Sequence, residues 1–197
     1  YERVELRTRI AGFLCCTSTT KSINKIKMEE LHNSFKPMLT PKQMLHKGIF
    51  GGTYFNQLVD YRVFPKDWFK DLDESYYLSK KYIVKINLFK IKSGQTQQEW
   101  EEKGWIHQDD PRGWFEWYCK YYIGRRHEDD IRQIKRWLAF CGPKGRFRNA
   151  IYNKIFKSGL NIENSKDISP RIQQSLLHWS YIVNNQDYES WKLEKQK

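Results

Sequence analysis

The sequence predicts a mainly α-helical single domain, a bundle built around one buried aromatic helix, with room for one or two short strands in its N-terminal half. Three observations predict it. Residues 110–124, DPRGWFEWYCKYYIG, place Trp114, Trp117, Tyr118, Tyr121 and Tyr122 on one stripe at i, i+3, i+4, i+7 and i+8, with Phe115, Cys119 and Ile123 on a second apolar flank. Three later segments carry helical apolar faces between start and stop signals. Alternating, strand-like patterns occur only before residue 90.

In chain order, residues 1–36 form an N-terminal arm or helix: ERVELRTRIAGFL suits an amphipathic helix or an extended arm, and CCTSTTKS reads as a turn-rich connection. A globular domain then spans 37–185. Thr40 caps a two-turn helix over Pro41–Lys47 that Gly48 stops. The aromatic and β-branched TYFNQLVDYRVF reads as a short strand, Pro65 opens a helical turn over KDWFKDL, and the alternation of Tyr82, Val84, Ile86 and Leu88 suggests a second strand. Thr96 to Glu99 is a capping box for a short helix that carries Trp100 and ends at Gly104.

The central helix is expected over 111–123. Asp110 is its cap, Pro111 lies in its first turn, Gly124 is its stop, and Arg112, Glu116 and Lys120 form its water-facing line. The next helix has Glu128, Asp129 and Asp130 in its first turn, where acids suit the dipole. Ile131, Ile134, Leu138 and Cys141 face inward from it, and Gly142-Pro143 closes it. Phe147, Ala150, Ile151 and Ile155 give a fourth helix its face, ended by Ser158-Gly159. After the polar loop NIENSKDI, Ser169-Pro170 begins a last helix that turns Ile172, Leu176, Trp179 and Val183 inward. Residues 186–197 read as a charged tail with Trp191 as its anchor.

At 197 residues the chain can bury a core without cross-links, and its 16% aromatic share against 39% hydrophobic residues means that rings build much of that core. A mean hydropathy of -0.82 and the lack of a long apolar run exclude a membrane span. Cys15, Cys16, Cys119 and Cys141 include no Cys-x-x-Cys pair and no His at metal spacing, so reduced thiols and an intracellular setting are expected, nucleus or cytoplasm, with an organelle left open. No secretory signal is read; the chain opens at Tyr1 and reads as a fragment.

Charge is the strongest global clue. The net value is +12, and from Lys120 to Lys157 eleven basic residues face only three acids. A local field that positive favours polyanions. Arg125, Arg126, Arg132, Lys135, Arg136, Lys144, Arg146 and Arg148 are the candidate phosphate contacts, gathered by a helix-turn-helix-like segment; solvated faces that keep an aromatic domain in solution are the plainer alternative. Within that segment GPKGRFR combines two glycines, a helix start and cations, the ingredients of an anion site, without the spacing of a Walker loop. Trp68 and Trp105, which flank loops, are the stacking candidates for bases.

His107, Asp109 and Asp110, just ahead of Pro111 and Arg112, form the only compact set of acid, base and cation and are the candidate catalytic residues; such a His and carboxylate can move protons or hold a divalent ion. Asp110 also has the plainer role of helix cap. His178 reads as a structural histidine, and Asp129 and Asp130 as dipole partners. No metal site is assigned and no cofactor is expected.

The blocks GWIHQDDPRGWFEWYCKYYIGRR, DDIRQIKRW, GPKGRFR and ISPRIQQSLLHWSY, with PKQMLHKGIFGGTYF before them, resemble a family of small conserved hypothetical proteins of fungi, algae, bacteria and large DNA viruses. The likeness covers residues 40–183 and implies one intact domain; the family brings no activity with it. The expected function therefore rests on charge: nucleic-acid binding, DNA ahead of RNA. One alternative is a nucleic-acid-processing or repair enzyme acting through His107, Asp109 and Asp110. Another is a structural subunit whose basic face docks on an acidic protein or on structural RNA. The oligomeric state is not legible.

Overall fold

The structure, a computed structural model, describes residues 26–56 and 60–196, and the chain divides into two units, Tyr1–Lys36 and Pro37–Lys197. In the first unit helix α1 is described over residues 26–34; the segments ERVELRTRIAGFL and CCTSTTKS lie outside the described residues. The second unit holds α2 (Pro41–His46), α3 (Gln97–Glu102), α4 (Trp114–Tyr122), α5 (Asp130–Cys141), α6 (Arg146–Ser158), α7 (Pro170–Leu177) and α8 (Asn185–Lys195). Capping decides where the short ones start. Thr40 and Thr96 each accept from the third residue on, Gln43 or Glu99, whose side chain returns to the cap amide.

No strand is present among the described residues, which corrects the second strand expectation and, outside residues 57–59, which lie beyond the described residues, the first. Tyr61–Val63 and Val84–Ile86 are 3-10 turns instead. A lone strand would leave a row of amides unpaired, whereas here short-range bonds satisfy them: Val63 N–H donates to Asp60 O at 3.2 Å and Asn87 N–H to Val84 O at 3.3 Å. Val84 and Leu88 are exposed, so the alternation marks no buried face.

α4 is the buried centre. Trp114, Phe115, Glu116, Trp117, Tyr118 and Cys119 are all buried, and α2 packs on it. The helix starts later than its sequence signals suggest, at Trp114 after Gly113, and Asp110 is not its cap. Two other expectations fail with it. Glu116 faces inward, because it accepts the Arg112 amide at 2.9 Å and pairs with Lys120 at 2.7 Å, while Tyr122 and Ile123 at the last turn are exposed. Arg112 reaches away from α4, giving Nε to Tyr54 O at 2.9 Å and Nη2 to Thr53 O at 3.2 Å, and so fastens the helix start to the 53–54 turn. The predicted stop holds: Gly124 has φ +103°, a conformation that favours glycine.

α5 packs on α6 and α6 on α7. The joint between α5 and α6 needs its glycines: a Cβ on Gly142 would meet Leu138 O at 2.6 Å, and one on Gly145 would meet Cys141 N at 2.6 Å. Cys119 and Cys141 are free and buried, and burial pushes both thiols well above their ordinary pKa. The C-terminal residues depart from the expected tail. They form α8, whose Tyr188 and Trp191 are buried and whose Trp191 Nε1 donates to Asn149 Oδ1 of α6 at 2.7 Å.

Trp117 is fully buried and its Nε1 donates to Asp130 at 2.8 Å. Trp117→Ala is expected to lower stability by about 3–5 kcal/mol through lost burial and a residual cavity, read from denaturant midpoints; an unchanged midpoint contradicts the core assignment.

His178 gives a second expectation. Its Nε2–H donates to Ile49 O at 3.1 Å beside Phe50, and burial lowers its pKa from 6.5 to about 4. Below pH 6.5 the unfolded chain takes a proton here that the folded chain refuses, so this contribution is full above 6.5 and is lost as pH falls toward 4. His178→Gln should reduce the stability difference between pH 7 and pH 4.5 by about 2 kcal/mol, measured by denaturant titration at both values.

Candidate functional site

Two turns of the same pattern flank α4: His107-Gln108-Asp109-Asp110 before it and His127-Glu128-Asp129-Asp130 after it. They fold alike. The fourth residue donates its amide to the histidine carbonyl, at 3.0 Å in the first turn and 3.1 Å in the second. The third donates its amide to the histidine Nδ1, at 3.3 and 3.2 Å. In both, the fourth residue is a buried aspartate that ties its turn to neighbouring structure.

Asp110 is 0% exposed and is matched by two cations, Arg125 Nη2 at 2.5 Å and Lys120 Nζ at 3.1 Å. Lys120 also donates to Asp109 O at 2.6 Å. A carboxylate without water needs such partners, so the loop before α4 is bound both to the helix and to the chain that leaves it. Asp130 accepts from Trp117 Nε1 at 2.8 Å and from the His127 amide at 3.0 Å, which binds the second turn to the same helix.

The result is a convergence of side chains from the two turns. His127 Nε2 lies 3.0 Å from Asp109 Oδ2, His107 Nδ1 lies 3.6 Å from the same oxygen, and the rings meet edge to face at 5.1 Å. Glu128 Oε1 is 3.9 Å from His107 Nε2. Because each Nδ1 accepts a backbone amide, the neutral rings carry their protons on Nε2, and His127 donates that proton to Asp109. Asp129, next to this group, is held by Arg132 Nη2 at 2.8 Å and Gln133 Nε2 at 2.8 Å. Burial raises its pKa, but Arg132 and Gln133, with His107 nearby, outweigh that and lower it.

Of the candidate catalytic set, His107 and Asp109 therefore come together, and Asp110 does not: it is buried and consumed by Arg125 and Lys120. The residue that sequence reasoning missed is His127. Its signal was the repetition of His-x-Asp-Asp at 107–110 and 127–130.

The eight phosphate candidates separate in the same way. Arg125 is spent on Asp110 and Arg132 on Asp129, and Arg148 is buried against Asp187 at 3.0 Å, with its guanidinium over Tyr181. These three are corrections to the phosphate set, since buried or nearby carboxylates already use their charge. Arg126, Lys135, Lys144 and Arg146 are exposed. Arg136 is intermediate: it lies 5.8 Å over Trp105 and 5.4 Å over Trp179, and burial lowers its pKa to about 10.

Trp68 leaves the stacking set because it is buried, parallel to Phe64 at 5.6 Å. Trp105 stays in it, 37% exposed with Lys103 Nζ 5.0 Å from its ring. From Trp105 a row of rings and cations continues through Arg136 to Trp179, which stacks on Phe140 at 4.9 Å; Phe140 stacks on Phe147 at 4.0 Å, and Arg146 lies 5.1 Å over Phe147. None of these four rings belongs to the fully buried core.

Compared with family models, curated proteins and solved structures, the chain matches none. No helix among the described residues is long and apolar enough to cross a membrane.

Proposed function

We propose that the protein binds nucleic acid along the face that runs from Trp105 across α5 to the turn before α6. The observation that carries the reading is the interleaved row of Trp105, Arg136, Trp179, Phe140, Phe147 and Arg146, part-exposed and flanked by the free charges of Lys135 and Lys144. Alternating cations and rings suit a polyanion with flat bases: the cations take phosphates, and ring edges and the Trp105 face take bases. DNA and RNA share that chemistry, and charge alone gives little sequence preference.

A second reading, processing of the bound strand, is favoured by one specific observation. His107, Asp109 and His127 converge two residues beyond Trp105, at one end of the same row. Asp110 has no part in it.

Binding is expected to weaken steeply with salt, because each neutralised phosphate releases counterions. With four cations on this face, Lys135, Arg136, Lys144 and Arg146, the log-log slope on duplex should be about -3 to -4. Lys144→Ala and Arg146→Ala should each reduce that slope by about 1 and weaken all sequences alike, with folding unchanged. Fluorescence anisotropy across a salt series on duplex and single-stranded DNA and RNA measures this; no binding at low salt, or a flat profile, removes the reading.

A further inference from the structure

His107, Asp109 and His127 each present one ligand atom within 4.8 Å of the others. The distances from Asp109 Oδ2, 3.0 Å to His127 Nε2 and 3.6 Å to His107 Nδ1, bracket the roughly 3.3–3.5 Å edge of a tetrahedron whose metal bonds are about 2.0–2.1 Å. We propose that these three side chains bind one divalent transition ion, with Zn²⁺ preferred over Mg²⁺ and Ca²⁺. Two imidazoles and one carboxylate decide the class of ion, since Mg²⁺ and Ca²⁺ take oxygen ligands and imidazole suits zinc and its neighbours.

The ligands are held in place before any ion arrives. They come from two turns that Asp110, Lys120 and Arg125 fasten to each other, so binding does not have to gather distant segments. Before an ion binds, each imidazole Nδ1 accepts the amide two residues on, from Asp109 and Asp129, which sets where each ring lies. On binding, the His127 ring stays neutral. Its proton moves from Nε2 to Nδ1, Nε2 and Asp109 Oδ2 turn from each other to the ion, and both amide contacts give way, the 3.2 Å one because His127 Nδ1 now carries the proton and the 3.3 Å one because the His107 Nδ1 lone pair goes to the ion.

Three protein ligands leave a fourth position, and it opens outward. The two histidine side chains are 20% exposed and Asp109 is 49% exposed, so the ion faces solvent along the carboxylate side. That is the pattern of an ion that keeps a water or takes an anionic oxygen, rather than of a closed structural site. Glu128, 82% exposed, has its carboxylate 3.9 Å from His107 Nε2, the ring edge away from the ion, where it steadies the ring as an outer partner of the ligand. Ion binding is independent of whether the basic row takes nucleic acid.

The test is isothermal titration of the full chain with ZnCl₂, repeated in a Cys15→Ser/Cys16→Ser background to remove the two thiols outside the described residues. One Zn²⁺ per chain is expected in both. Asp109→Asn and His127→Ala should each weaken it at least about thirtyfold, and His46→Ala, at an exposed histidine elsewhere, should not change it. No saturable binding, binding lost with the two cysteines, or an affinity unchanged by Asp109→Asn and His127→Ala overturns the proposal. A measurement on the unmutated chain guards against variants that fail to fold. Substoichiometric Mn²⁺ should broaden the imidazole resonances of His107 and His127 before those of His46 and His178; broadening at His46 first, or equally at all four, also overturns it.

Discussion

The buried charge of Asp110 is the constraint on which the rest of the site depends. A carboxylate cut off from water must be matched within the protein, and here the match comes from two directions, Lys120 on α4 and Arg125 just past its end. One aspartate thereby holds together the loop that enters the central helix and the chain that leaves it. Asp130 does the same for the second turn through Trp117. The aromatic helix supplies the apolar mass, but these two acids determine how its flanks meet, and the meeting of the flanks brings His107 and His127 together at one carboxylate oxygen of Asp109.

The same accounting of charge explains why the basic segment is less free than its composition suggests. Acids are few there, yet they are placed against particular arginines. Asp110 and Asp129 consume Arg125 and Arg132, and Asp187, from a helix at the other end of the chain, consumes Arg148. Of the eight candidates, those left exposed are Arg126 ahead of α5, Lys135 on it, and Lys144 and Arg146 where α6 begins. A surface with fewer but uncommitted cations, interleaved with rings, is a better candidate for phosphate and base than an evenly charged segment whose arginines are already paired.

Much of the helical plan was legible because its signals are local. Thr40, Thr96, Gly124 and Gly159 mark element ends through hydrogen bonds or backbone conformations that a few residues determine. The strands were misread because a period of two in Tyr82 to Leu88 says nothing about a partner, and without one the backbone closes into turns. Asp110 looked like a helix cap because a short acid before Pro111 usually is one; only the fold brings Arg125 and Lys120 to it and moves the helix start to Trp114. His107 and Asp109 were visible as neighbours in sequence. His127 was not, because its pairing with Asp109 spans eighteen residues and depends on tertiary ion pairs. Trp68 shows the opposite error, an indole beside a loop that the structure buries.

The most direct test of this account is a double-mutant cycle between Asp110 and Arg125, with Asp110→Asn, Arg125→Gln and the double variant compared by denaturant unfolding. If the buried pair fastens the two turns together, the single variants should each be strongly destabilising and the coupling between them should be about 2 kcal/mol or more. Effects that add to within about 0.5 kcal/mol would contradict it, since two independent residues cannot be what brings His107, Asp109 and His127 into one site.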